Sequence, residues 1–156
     1  MESELFQFAL MSNLHVGDVM MIKNYPCKIT EKNISKTGKH GASKAHVVGK
    51  DIFTDKKYEE IFGSSEKIQV PIIVHISYIV QFVEQKFNDD NTFNVFVLEN
   101  NKSRDLPIEV NKNNEQDMLI LERVNKILDN DENCILHVIQ SMNKERITQC
   151  SQSKNI

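Results

Sequence analysis

No apolar run in this 156-residue chain approaches the roughly 20 residues that a membrane-spanning helix needs, so a helical membrane protein is excluded from the start. Cysteine is scarce: Cys27, Cys134 and Cys150 are an odd number at wide spacings, with no CxxC pair. That pattern suits reduced thiols and argues against both a disulfide framework and a thiolate zinc site. His15, His46 and His75 lack ligand-spaced partners, and no metal or cofactor is expected. The first residues, Met1-Glu2-Ser3-Glu4, carry acids where a secretory or transit peptide carries bases, which points to the cytoplasm and to no membrane partner. Internal repeats and low-complexity tracts are also absent. What remains is 40% apolar and 26% charged, the composition of a folded globular protein.

One further absence is local. Between Lys32 and Lys50 there is no Asp or Glu, but there are five lysines (32, 36, 39, 44 and 50), two histidines and three glycines. The chain as a whole is formally −3, divided as +1 for residues 1–71 and −4 for residues 72–156. A basic loop on a nearly neutral protein makes a directed contact to a polyanion. At its centre lies Lys36-Thr37-Gly38-Lys39-His40-Gly41, one lysine between two glycines.

Turn residues punctuate short apolar segments through the first half. Val16–Ile22, Cys27–Thr30, Lys44–Phe53, Lys57–Phe62 and Ile68–Val74 read as strands, with turns at Gly17-Asp18, Asn24-Tyr25-Pro26, Thr54-Asp55 and Gly63-Ser64-Ser65. Five short strands in about 70 residues suggest a small barrel. Val70-Pro71 interrupts the series, because proline lacks the amide that a central strand needs. The expected domains are therefore 1–71 and 72–156.

In the second, Ile72–Val83, Phe93–Glu99, Lys102–Ile108, Cys134–Met142 and Arg146–Cys150 read as strands. Met118, Leu121, Val124 or Asn125, and Leu128 recur at helical spacing, which predicts a helix over Glu115–Asp129. Three strands, a helix and two strands is the order of an OB-fold.

The Gly38-Lys39 pair invites a phosphate-loop reading, which fails. Asn33 stands where the first glycine belongs, and His40 where a metal-binding hydroxyl belongs. A β-hairpin fits better, with Gly38 and Gly41 flanking an apex of Lys39 and His40, and with arms from Lys32 projecting the tip by up to about 20 Å. Cys134 and His137, three apart on a strand, point to opposite faces and make no dyad. Glu59-Glu60 and Asp89-Asp90 read as solvated pairs. Phe6, Phe8, Phe82, Phe87, Phe93 and Phe96 offer a stacking surface for bases or, at alternating spacing, core.

Ser35-Lys36-Thr37-Gly38-Lys39-His40-Gly41 resembles the modification loop of the eukaryotic translation initiation factor 5A family, the hypusine-containing factors. Pro26-Cys27-Lys28-Ile29, His46-Val47-Val48-Gly49, Asp51-Ile52-Phe53-Thr54, Lys56-Lys57-Tyr58-Glu59 and Val70-Pro71 extend the likeness. Ala42-Ser43, Ala45, His15-Val16 and Val74-His75 depart from the usual pattern. The resemblance implies an SH3-like barrel followed by an OB-fold, with Lys39 as the hypusine site. Deoxyhypusine synthase would transfer an aminobutyl group from spermidine to that lysine, and deoxyhypusine hydroxylase would complete the modification.

The implied partner is the ribosome, through rRNA and peptidyl-tRNA, where the modified tip promotes peptide-bond formation on slow substrates such as proline runs, and acts in termination. Lys36, Thr37, Gly38, His40, Gly41 and Lys44 would form the modification loop and its tRNA and ribosome contacts. A weak homodimer is compatible with the sequence and not specified by it. Two other readings compete: a general RNA-binding module that acts without modification, and an enzyme with Lys39 as nucleophile. Nothing near Lys39 supplies the partner acid or base that the enzyme reading needs, so the chain is expected not to be an enzyme.

Overall fold

The computed structural model describes residues 5–36 and 43–153. The chain divides into two compact units, Met1–Ile73 and Val74–Ile156. The first contains β1 (Phe6–Leu10), a 3-10 turn at Met11–Asn13, β2 (Val19–Ile22), β3 (Tyr25–Lys36), β4 (Ser43–Asp51), β5 (Lys57–Gly63) and β6 (Lys67–Pro71). Strands β2-β3-β4-β5 form an antiparallel sheet in that order, and β1 pairs with β6. Alternation turns Met20 and Ile22 of β2, Cys27 and Ile29 of β3, and Ala45 and Val47 of β4 toward a common core. Phe62, Ile68, Met11 and Leu14 complete it. This is the SH3-like barrel.

Two details fix the register. At Gly49 an added Cβ would stand 2.9 Å from both Cys27 Cβ and the Lys28 carbonyl oxygen, so only glycine lets β3 and β4 approach there. Between Ile29 and Glu31 the β3–β4 ladder shifts, leaving Thr30 as an extra residue whose hydroxyl donates to the Val48 carbonyl at 3.2 Å. Odd-numbered β3 residues face the core before this bulge; after it, Lys32, Ile34 and Lys36 stand opposite Val47, Ala45 and Ser43.

The second unit contains β7 (Val74–Gln85), β8 (Thr92–Glu99), β9 (Lys102–Ser103), β10 (Ile108–Asn111), α1 (Glu115–Asp129), β11 (Asn133–Ser141) and β12 (Lys144–Ser153). Its sheet runs β10-β8-β7-β11-β12, with β9 beside β8, and each described pairing is antiparallel. Helix α1 begins at Asn114, whose side chain accepts the Asp117 N–H at 3.1 Å. It packs on β10, β11 and β12 through buried Leu121, Val124 and Ile127. Arg104 and Glu145 form a two-pronged ion pair at 2.6 and 3.1 Å, partly buried, and the carboxylate holds the guanidinium pKa above its usual value. This is the OB-fold.

Several expected boundaries move. Val16 and Gly17 lie before β2 in a turn where Gly17 has φ +98° and the Asp18 carboxylate accepts the His15 N–H at 2.8 Å. The β2–β3 turn is Lys23-Asn24, both at positive φ, so Tyr25 and Pro26 are already strand. Lys102–Ile108 is not one strand; β9 ends at Ser103 and β10 starts at Ile108, just after Pro107, which has no amide to give a ladder. The β1 strand had no counterpart in the sequence reading.

Candidate functional site

The basic loop is carried by β3 and β4. Their ladder runs outward through Ile34↔Ala45 and Ser35↔Lys44 to Lys36↔Ser43. Thr37, Gly38, Lys39, His40 and Gly41, the centre of the expected site, lie outside the described residues. The expected hairpin has arms that project the tip from Lys32; in the structure β4 is also paired with β5 from Lys50 out to Lys44, so its arm is embedded in the sheet almost to the last described rung. Ser43 extends this support: its hydroxyl lies 2.6 Å from that of Ser64, and its carbonyl accepts the Ser64 N–H at 3.0 Å.

The lysines and histidines near the tip have different roles. The Lys32 ammonium donates to the carbonyl oxygens of Leu14 at 2.6 Å and Met11 at 3.2 Å, fixing the base of β3 to the 3-10 turn. His46 lies 3.0 Å from Glu59. Lys36 and Lys44 are both exposed, but on opposite faces of the ribbon. Lys36 opposes Ser43 and shares the face of Ala45 and Val47, whereas Lys44 opposes Ser35 on the other face. Two cations therefore flank the tip, one on each face. Sequence reading grouped all these bases as one cluster; the bulge at Thr30 and the two carbonyls that hold Lys32 were not visible to it.

Other candidates separate from this site. Cys134 is fully buried, while His137 bridges the hydroxyls of Ser77 and Ser151 at 2.9 and 3.0 Å on the outer face. Burial pushes the Cys27 thiol up to about 11, with the Asp51 charge adding to the effect, and burial beside Cys150 pushes Cys134 up to about 12. Neither is poised as a nucleophile. Among the phenylalanines, Phe93 packs on the core, Phe82 and Phe96 stack at 4.5 Å on the outer face, and Phe8 lies exposed beneath the Lys67 ammonium. Among the described residues no cluster of His, Cys, Asp or Glu is arranged to hold a metal, and no helix is long and apolar enough to cross a membrane.

Residues 8–66 match the family model described as translation initiation factor 5A-like, N-terminal. A family protein from Naegleria fowleri has a solved structure that superposes with a TM-score of 0.79 at 31% identity, covering 95% of this chain and 99% of that one. The chain belongs to the translation initiation factor 5A family. A second solved member, from Methanococcus jannaschii, superposes with a TM-score of 0.68 at 25% identity, covering 97% of this chain and all of that one. Factor 5A-1 of Caenorhabditis elegans is 47% identical over 79 residues, which are 51% of this chain and 47% of that relative. The Drosophila melanogaster factor is 52% identical over 60 residues, 38% of each. In these alignments the chain spans about half the length of the curated relatives it matches, or less. The match includes the SH3-like barrel, where the β3–β4 hairpin lies.

Proposed function

We propose that this protein is a translation factor that binds the ribosome beside peptidyl-tRNA and promotes peptide-bond formation through hypusine on Lys39. The observation that carries the reading is the β3–β4 hairpin of a factor 5A-type barrel, paired to Lys36↔Ser43, with Lys39 in the short segment that joins the two arms. A rigid base matters because a lysine presented to another enzyme's pocket, or to the ribosome, needs a fixed point of departure. Lys32 on the 3-10 turn, Ser43 on Ser64 and β5 alongside β4 supply that base.

The chemistry of the modification follows from what lysine lacks. Its ammonium is a single cation on a four-carbon stem. Adding an aminobutyl group from spermidine extends the stem and adds a second cation, and hydroxylation adds a hydroxyl that donates to phosphates and riboses. On this reading Lys36 and Lys44 bracket the tip on its two faces, an arrangement suited to entering a space walled by RNA on both sides. Positioning the acceptor end of a tRNA lowers the entropic part of the ribosome's own barrier; the factor donates no catalytic proton.

Mass analysis of the Lys39 peptide from the native organism is the direct test, with the hypusine mass increment expected. Unmodified lysine in cells that make spermidine would remove the hypusine mechanism. Lys39→Arg retains the charge and blocks the modification, and should fail to support synthesis of proline-rich proteins. Full activity of that variant would favour an RNA-binding module that works without modification.

A further inference from the structure

The outer face of the β2–β5 sheet carries a second basic feature. Lys28 on β3 stands directly opposite Lys50 on β4, which in turn stands directly opposite Lys57 on β5. All three are exposed. Directly opposed residues in antiparallel strands have Cβ atoms about 5 Å apart, and like charges so placed repel. Acids one step along the same face, two against three lysines, offset this repulsion only in part. Glu31 and Glu59 oppose Val48, Glu59 is engaged with His46, and none of the three lysines forms an ion pair among the described residues.

We propose that Lys28, Lys50 and Lys57 form a binding rung for the phosphate backbone of RNA, separate from the Lys39 tip. Strands lie about 4.8 Å apart, so the three stems span about 10 Å and can reach successive phosphates. Lysine ammonium groups on flexible stems contact phosphate as point charges, without base readout. The charge distribution directs a polyanion to this unit, since residues 1–71 carry a formal +1 and residues 72–156 carry −4. Lys50 lies seven positions along β4 from Ser43, about 23 Å at strand rise, so the rung makes its contact apart from the tip. The free protein bears the repulsion, and bound phosphate removes it.

The test uses the full chain made in bacteria, where Lys39 carries no modification, together with labelled oligouridylate, a short hairpin RNA, polyglutamate and phosphatidylserine vesicles. Lys50→Thr should weaken RNA binding roughly threefold to tenfold and reduce the slope of log affinity against log salt by about 0.7 to 0.9. Lys50→Glu, which places a carboxylate between two ammonium groups, should raise the melting temperature at low salt while weakening RNA binding further. The same losses should appear in a Lys39→Ala background, which separates the rung from the tip. RNA affinity and salt slope unchanged in both Lys50 variants would overturn the proposal. So would Lys50-dependent binding to polyglutamate or vesicles with none to RNA.

Discussion

Cys134 shows how a single buried side chain ties stability to pH. Its sulfur is closed from solvent beside Cys150, and the thiol is pushed up to about 12 from an ordinary 9.0. A folded-state pKa above the unfolded one contributes stability that is complete below the unfolded value and is lost as pH rises toward the folded one. Between about pH 9 and 12 the unfolded chain therefore releases a proton that the folded chain keeps, and stability falls. Cys27, raised to about 11, and Cys150, also raised by burial, act in the same direction. Replacing Cys134 with valine, of similar size, should leave stability near pH 7 little changed and reduce the loss at about pH 10 by about 1 kcal/mol. Urea midpoints of the OB-fold transition in the two proteins at both pH values measure this; equal alkaline losses would mean that the thiol is not the titrating group.

At the scale of elements, the low glycine count has a structural counterpart in the turns. Three hairpins close through two-residue loops at positive φ: Lys23-Asn24, Asn100-Asn101 and Met142-Asn143. None contains glycine. Asparagine enters the left-handed region more readily than other side chains, which accounts for the second position in all three. Met142, at φ 56°, has no such tolerance. Met142→Asn should therefore stabilise the β11–β12 hairpin by about 0.5 to 1 kcal/mol, seen as a higher denaturant midpoint of the OB-fold transition with no change in its slope.

These turns also show why some elements were legible in the sequence and others were not. Helix α1 is found where its periodicity placed it, because its apolar stripe is long and its caps are polar. Lys23-Asn24 was passed over in favour of Asn24-Tyr25-Pro26, because proline commonly marks a turn. At Pro26, however, the ring is accommodated within β3 opposite Met21. Strand β1 was missed because the Phe6-Gln7-Phe8 alternation stops at Ala9-Leu10, too short to mark a strand, and only its pairing with β6 defines it. The site was legible to a similar degree. Spacing and glycine content pointed to the hairpin, but the partners of Lys32 and His46, and the Lys28–Lys50–Lys57 rung, depend on a register that a bulge and cross-strand pairing set.

At the scale of the whole molecule, the SH3-like barrel and the OB-fold each bury a core with no member in common. Leu121, Val124 and Ile127 of α1 belong entirely to the second core, packed with Val95, Val97, Leu136 and Val138. Cooperative unfolding requires shared buried surface, and a chain with two separate cores is of the kind for which two-state behaviour fails. Leu121 is 1% exposed, so truncation to alanine leaves a cavity that should destabilise its own unit by about 3 kcal/mol. Hydrogen exchange read by mass spectrometry separates the two units. In Leu121→Ala, protection should fall across β7 to β12 and α1, while peptides from β2 to β5 exchange as in the parent protein. Equal loss in both units would show that they unfold as one cooperative body. The expected independence matters for function, because the barrel that carries Lys39 and the lysine rung would then keep its fold while the OB-fold opens.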